Sequence, residues 1–278
     1  MSAREEPKLM THPFDDAIAL TPLGEDTLAG TTSPAYANMA GPYGGITAAV
    51  LLNAVLTDKR RQGDPVAMTV NYCGAVADGP FEIAVKLQRG GKYTQHWSLE
   101  LTQAGGTRST ASIVCGARGA VFSHVEEGMP EAPPPEDVAA IPVPGPLKWL
   151  DAYDMRYIGG APPFTTRPHE PLRDSGSLVW VADRPARPLD FPALASIADC
   201  FLPRIVKARG LMVPLGTVSL TTYFHATAPE IARLGSGPVL GSARSKRMHA
   251  NFFDQHMELW SRDGHLLATG VQVAWYKE

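Results

Sequence analysis

The sequence predicts an α+β protein made of two tandem copies of one unit, each a long apolar helix wrapped by an antiparallel sheet. Three observations carry this. A strand–helix–strands order occurs twice, a proline-rich stretch separates the two occurrences, and residues of the halves match at a fixed offset. The 278 residues are long for one domain and comfortable for two. The expected division is a first unit at 1–126, a linker at 127–146 and a second unit at 147–278.

Residues 14–22 and 26–32 read as short strands. Residues 44–61, GGITAAVLLNAVLTDKRR, read as one helix. Its apolar positions (Ile46, Ala49, Val50, Leu52, Val55, Leu56) run nearly all round, the pattern of a helix buried on most sides. The basic tail Lys59-Arg60-Arg61 suits a helix C-terminus. Strands are expected at 66–73, 81–88, 92–103 and 107–117. Phe81, Ile83, Val85 and Leu87 alternate with the period of a half-buried strand. The stretch 127–146 holds seven prolines and can be neither helix interior nor central strand. Beyond it come strands at 149–158 and 177–183. A helix at 192–209 with Pro203 inside it follows, then strands at 216–225, 238–248, 250–261 and 265–276.

The repeat can be checked by arithmetic. An offset of 158 places Gly79-Pro80 on Gly237-Pro238, Arg89 on Arg247, Glu100-Leu101 on Glu258-Leu259 and Gly106 on Gly264. Upstream the offset is 151, matching Tyr72 to Tyr223 and Ala75 to Ala226. The difference is a longer loop in the second half, around APEIARL.

Composition excludes several classes. Hydrophobic residues at 44% and charged residues at 19% exclude global disorder. A net charge of −3 gives no reason to expect nucleic acid. No apolar run approaches the ~18 residues of a membrane span. The start, MSAREEPKLMTHPF, lacks an apolar signal core. Three cysteines, Cys73, Cys115 and Cys200, have no CxxC spacing, so a cytoplasmic setting without a disulfide framework is expected. No HExxH or Cys/His spacing calls for a metal, no GxGxxG or Walker spacing for a nucleotide, and no Gly-x-Ser-x-Gly is present. No cofactor is expected.

A curved sheet around a helix that is apolar on most sides is the hot-dog fold, and two in one chain make a double hot dog. The segments AGPYGGITAAVLLNAVL, ASIADCFLP, GTVSLTTYFHA and DGHLLATGVQVAWYK, in that order, resemble the acyl-CoA thioesterase II (TesB-like) family. The resemblance runs from about residue 30 to the end. It implies hydrolysis of acyl-CoA thioesters and a homodimer. It also implies a catalytic set of Asp199 on the second helix, Thr217 opening the next strand and Gln272 in the last strand, which together hold and polarise the attacking water.

The residues can be weighed without the family. Asp199 lies among Ile197, Ala198, Phe201 and Leu202, where an ionised carboxylate is costly unless hydrogen-bonded. It is either a satisfied structural acid or a base whose pKa burial has raised. Gln272 interrupts the apolar strand GVQVAW, and Thr217 is either an ordinary strand threonine or part of the same site. Their counterparts by offset are Val114 and Val66, which favours one chemical site, in the second half. Tyr43, Gly44 and Gly45 open the first helix. Close approach there, with the helix dipole, would suit substrate binding and a carbonyl oxygen gaining charge. Arg244, Lys246 and Arg247 could meet coenzyme A phosphates or simply solvate a strand. Two other functions remain open on the residues alone: a non-catalytic acyl-thioester binding protein, and a hot-dog enoyl-CoA hydratase. The hydratase would want a His beside Asp or Glu near a helix, and none adjoins Asp199 in sequence.

Overall fold

The computed structural model describes residues 11–140, 147–161 and 174–278. One antiparallel sheet runs through both halves. The first half contributes β1 (Thr21–Pro22), β2 (Thr27–Thr31), β3 (Asp64–Tyr72), β4 (Pro80–Gly90), β5 (Thr94–Gln103) and β6 (Gly106–Gly116). The second contributes β7 (Tyr153–Gly159), β8 (Ser177–Asp183), β9 (Leu215–Phe224), β10 (Val239–Arg244), β11 (Met248–His249), β12 (Phe252–Trp260) and β13 (Leu266–Tyr276). Their order is β1-β2-β4-β5-β6-β3-β9-β13-β12-β10-β8-β7, with β11 paired to β12.

The seam is β3 against β9. Thr69 pairs with Thr221, their hydroxyls 2.9 Å apart, and an approximate two-fold axis passes between them. Joining the halves this way pairs two strands that would otherwise be open edges. Arg118 braces one end of the seam by donating to the carbonyls of Pro65, Phe224 and His225.

Two helices fill the concave side and pack on each other: α2 (Gly44–Leu56) and α3 (Phe191–Ile197). Ten of the 13 residues of α2 are buried, so the helix is covered all round by sheet and neighbouring helix. It stops at Leu56, before the basic tail expected to end it. The chain turns at Asp58, whose carboxylate takes the Arg60 amide, and Arg61 donates back to the Leu56 carbonyl. The basic residues therefore cap the helix from outside it.

The expected strand at 14–22 is mostly the helix α1 (Pro13–Ile18). Pro13 sits in its first turn, His12 Nδ1 accepts the Phe14 amide, and Asp15 and Asp16 complement the helix N-terminus. The strand expected from 149 begins only at Tyr153, after a 3₁₀ turn over Lys148–Ala152. The helix expected at 192–209 is two helices, α3 and α4 (Arg204–Arg209). Pro203 explains the break, since its ring would strike the carbonyl of residue 199 in a continuous helix. Another short helix, α5 (Ala228–Arg233), occupies the longer loop of the second half and carries a Thr227–Glu230 capping box.

Of the proline-rich stretch, residues 127–140 are described and 141–146 lie outside the described residues. The described part is docked on the second half. Met129, Ala132 and Val138 pack around Trp180, Leu240 and Trp260, and Trp180 Nε1 donates to the Pro133 carbonyl. Proline carbonyls keep both lone pairs, so such a strap can accept bonds without a strand ladder.

The two-fold register also corrects the counterparts of the polar pair. Gln272 pairs with Leu220, and Met68, which the axis relates to Leu220, pairs with Ile113. The counterpart of Gln272 is therefore Ile113, which faces inward, and not Val114. By the same register Thr217 corresponds to Pro65. Both counterparts are apolar, so the asymmetry between the halves stands.

Candidate active site

Asp199, Thr217 and Gln272 come from three elements and meet in one hydrogen-bonded cluster. Gln272 Nε2 donates to Asp199 Oδ1 at 2.5 Å and to Thr217 Oγ1 at 2.8 Å. Gln272 is on β13, with its side chain turned inward and 6% exposed. Thr217 is on the neighbouring β9. Asp199 lies in the turn after α3 and not on a helix. Its amide donates to the Ser196 carbonyl, which tightens the turn. Ser196 is itself held, its carbonyl accepting from Tyr43 and its hydroxyl bonded to Tyr153.

The N-terminus of α2 abuts the same carboxylate. The Gly45 backbone N–H bonds to Asp199. A Cβ at Gly44 would lie 2.6 Å from Asp199 Oδ2, and one at Gly45 would collide with the Ser196 carbonyl oxygen. Glycine is required at both by close approach. The Gly45 amide is thus given to a carboxylate, where the sequence suggested a carbonyl oxygen. Tyr43 stacks on Trp149 at 4.3 Å, and Tyr72 donates to the Gly44 carbonyl.

Burial raises the Asp199 carboxyl from 3.8 to about 7, with the Gln272 and Gly45 hydrogen bonds pulling the other way. Burial and the nearby carboxylate push the Tyr43 and Tyr72 phenols well above their ordinary value, so both stay neutral.

The cluster opens on a cavity of about 400 Å³ built from both halves. Met39, Leu147, Trp149, Phe201, Leu202 and Met212 give it an apolar lining. Among the described residues that line it, Asp199 is the single charged side chain, and there is no histidine. Among the described residues no group of His, Cys, Asp and Glu could hold a metal. The basic turn at Arg244–Arg247 does not line the cavity. It wraps Asp254, whose Oδ1 accepts from the Ser245 hydroxyl and the Lys246 and Arg247 amides.

Residues 33–116 match the family described as acyl-CoA thioesterase N-terminal domain, and residues 130–276 match the acyl-CoA thioesterase C-terminal domain. The chain belongs to the acyl-CoA thioesterase family. This thioesterase superposes with a TM-score of 0.91 on a hot-dog protein of unknown function from Alicyclobacillus acidocaldarius. The two are 40% identical over 97% of this chain and 99% of that one. A thioesterase II candidate from Thermobifida fusca is 19% identical, with a TM-score of 0.80, over 95% and 99% of the two chains. The acyl-CoA thioesterase II TesB2 of Mycobacterium marinum is 16% identical, with a TM-score of 0.71, over 95% and 98%. These last two likenesses concern the hot-dog fold. No curated protein matches the sequence. No helix among the described residues of the thioesterase is long and apolar enough to cross a membrane.

Sequence reasoning missed Tyr72, Gln255 and Arg204 around the thioesterase site. A signal for Gln255 existed: in FFDQHMELW it shares its strand phase with the buried Phe253 and Met257. Arg204 gave none, since an arginine opening a short helix normally faces solvent.

Proposed function

We propose that this acyl-CoA thioesterase cleaves its substrate by direct attack of a water held by Asp199 and Thr217. The observation that carries the reading is the three-way bond of Gln272 to both residues at the wall of an apolar cavity. Both Gln272 amide hydrogens are used, one on Asp199 and one on Thr217. Thr217 Oγ1 accepts, so its own hydrogen is left to donate to the water. Asp199 accepts a proton from that water. A carboxyl poised near 7 suits a general base at neutral pH. The water oxygen bonds to the thioester carbonyl carbon while Asp199 takes its proton. The C–S bond then breaks, and the thiolate of coenzyme A receives the proton from Asp199. Acid and thiol leave, and the carboxylate is regenerated.

The acyl chain lies along the apolar lining. Met39 and Met212, 64% and 55% exposed, stand at the mouth, where flexible thioethers adapt to chains of different shape. Tyr43 and Gly44 form the wall on the other side of the carboxylate and bring the substrate alongside the start of α2, while Gly45 does not line the cavity and spends its amide on Asp199. A panel of acyl-CoA lengths assayed for thiol release tests the reading. The parent protein should release thiol with a preferred length, and Asp199→Asn should not.

We also propose a homodimer. Phe252, Trp275, Val273 and Val218 are exposed together on the outer face of β12, β13 and β9, with Phe252 and Trp275 directly paired in register. A contiguous apolar patch of this kind on a sheet face favours burial against a second copy.

A further inference from the structure

Behind Gln272 a chain of side chains leads into the protein interior. Gln272 Oε1 accepts from Gln255 Nε2 at 3.2 Å, and Gln255 Oε1 accepts from Arg204 Nε at 3.0 Å. Arg204 and Gln255 are each 1% exposed. Arg204 is held at the start of α4 by further bonds to the carbonyls of Leu202 and Ser175 and to the Ser177 hydroxyl.

The chain has a direction. A guanidinium has donors and no acceptor. The Gln255 atom that faces Arg204 must therefore be its oxygen, which turns its NH₂ to Gln272. The Phe201 carbonyl, 3.5 Å from Gln255 Nε2, asks for the same orientation. Gln272 must then meet Gln255 with its own oxygen and present its NH₂ to Asp199 and Thr217. Without this constraint a glutamine amide could turn over, since its two ends are nearly the same shape.

We infer that Arg204 and Gln255 are positioning residues of this thioesterase, a relay that locks the Gln272 amide with its donors toward Asp199 and Thr217. The inference rests on the water-activation reading of Asp199. An ionised carboxylate accepts that NH₂ more strongly than a protonated one does. The relay therefore holds Asp199 in its basic form against the desolvation that opposes it.

The sharpest test is Gln255→Glu. The new carboxylate keeps the shape and still accepts from Arg204. It offers Gln272 an acceptor where the amide offered a donor. Gln272 then turns its NH₂ inward and its oxygen onto Asp199, which disfavours the ionised form. Gln255→Leu is the companion, cutting the relay without reversing it. The readout is the pH profile of kcat for thiol release. Tyr43, Tyr72 and Cys200 face Asp199 with their pKa values pushed far up by burial, so they stay protonated, and Arg204, pulled down to about 10, is still protonated. Lys207, lowered to about 8 by burial, and Asp183, raised to about 6, titrate in the same range but neither lines the cavity, so an acid limb between pH 5 and 9 that moves with Gln255 is assigned to Asp199.

In Gln255→Glu the acid limb should move up by about one pH unit, with about a fivefold loss of kcat at pH 7 and about a tenfold loss well below it. In Gln255→Leu it should move the same way by less. Melting temperature is followed in parallel, because a merely structural glutamine would change it without moving the limb. An acid limb unmoved in whichever of these variants folds overturns the relay. Asp199→Asn separates the two readings. If it is inactive while the Gln255 variants keep the parent limb, the relay alone fails. If it retains parent activity, the water-activation reading fails and takes the relay with it.

Discussion

Gln272 and Asp199, 73 positions apart in the chain, are joined by a 2.5 Å hydrogen bond that places a neutral donor on a buried carboxylate. The donor steadies the negative charge without neutralising it, so the carboxylate can still take a proton from water. Asp199→Asn keeps the shape and removes that capacity. Turnover should fall by ~10²–10⁴, the range for a positioned general base. Gln272→Ala and Thr217→Val each remove hydrogen bonds worth ~1–3 kcal/mol and should cost less than the aspartate change. Steady-state thiol release from a good acyl-CoA decides it. A folded Asp199→Asn protein working at the parent rate would remove Asp199 from the chemistry.

Gly44 and Gly45 separate two effects of a methyl group. At Gly44 the added carbon meets Asp199 Oδ2 and, at 3.5 Å, the Tyr72 ring. At Gly45 it meets the backbone oxygen of Ser196 and the Tyr43 ring. Gly44→Ala should displace the carboxylate and lower kcat by about 10²-fold, since misplacement of ~1 Å is enough for that. Gly45→Ala wedges α2 away from the turn after α3 and should cost ~1–3 kcal/mol of stability. Kinetics and denaturant unfolding on both variants check the split. Equal effects on rate and stability at the two positions would contradict it.

The hot-dog architecture was legible because α2 announces itself: a helix with apolar residues all round has to be wrapped, and the strands around it alternate cleanly. The repeat was legible too, although the β12–β13 hairpin is one residue longer than the β5–β6 hairpin, Leu259 pairing with Ala268 where Leu101 pairs with Ser109, so a fixed offset put Val114 where Ile113 belongs. The strand expected at 14–22 failed because the Pro13 start and acidic first turn of α1 outweigh the β-branched residues after them. Asp199, Thr217 and Gln272 were found through family resemblance. Their spacing of 18 and 55 residues carries no local pattern, and only the fold brings them together. Gln255 and Arg204 act through side chains that meet across the interior, a relation no linear pattern records.

The exposed face of Phe252, Val273 and Trp275 should associate in solution. Light scattering at micromolar concentration should return twice the chain mass. Trp275→Lys places a charge at the centre of the patch and should shift the population to monomer without altering the melting of the subunit core. A parent protein that scatters as a monomer throughout would remove the dimer.

The raised carboxyl of Asp199 also predicts an unusual pH dependence of stability. The group titrates near 3.8 when unfolded and about 7 when folded. Below 3.8 both states are protonated and the site costs nothing. Between 3.8 and 7 the unfolded chain releases the proton while the folded one retains it, so stability falls as pH rises. Above 7 the loss is complete, at about 2–4 kcal/mol from the size of the shift. Asn at this position never ionises and escapes the loss. Urea unfolding of the parent and of Asp199→Asn should therefore give closely similar midpoints at pH 4 and a more stable variant at pH 8. The same substitution should lower turnover by ~10²–10⁴, so activity and stability change in opposite directions at one residue. A variant no more stable than the parent at pH 8 would mean that the folded protein does not raise the Asp199 carboxyl, and its role as a base near neutrality would go with it.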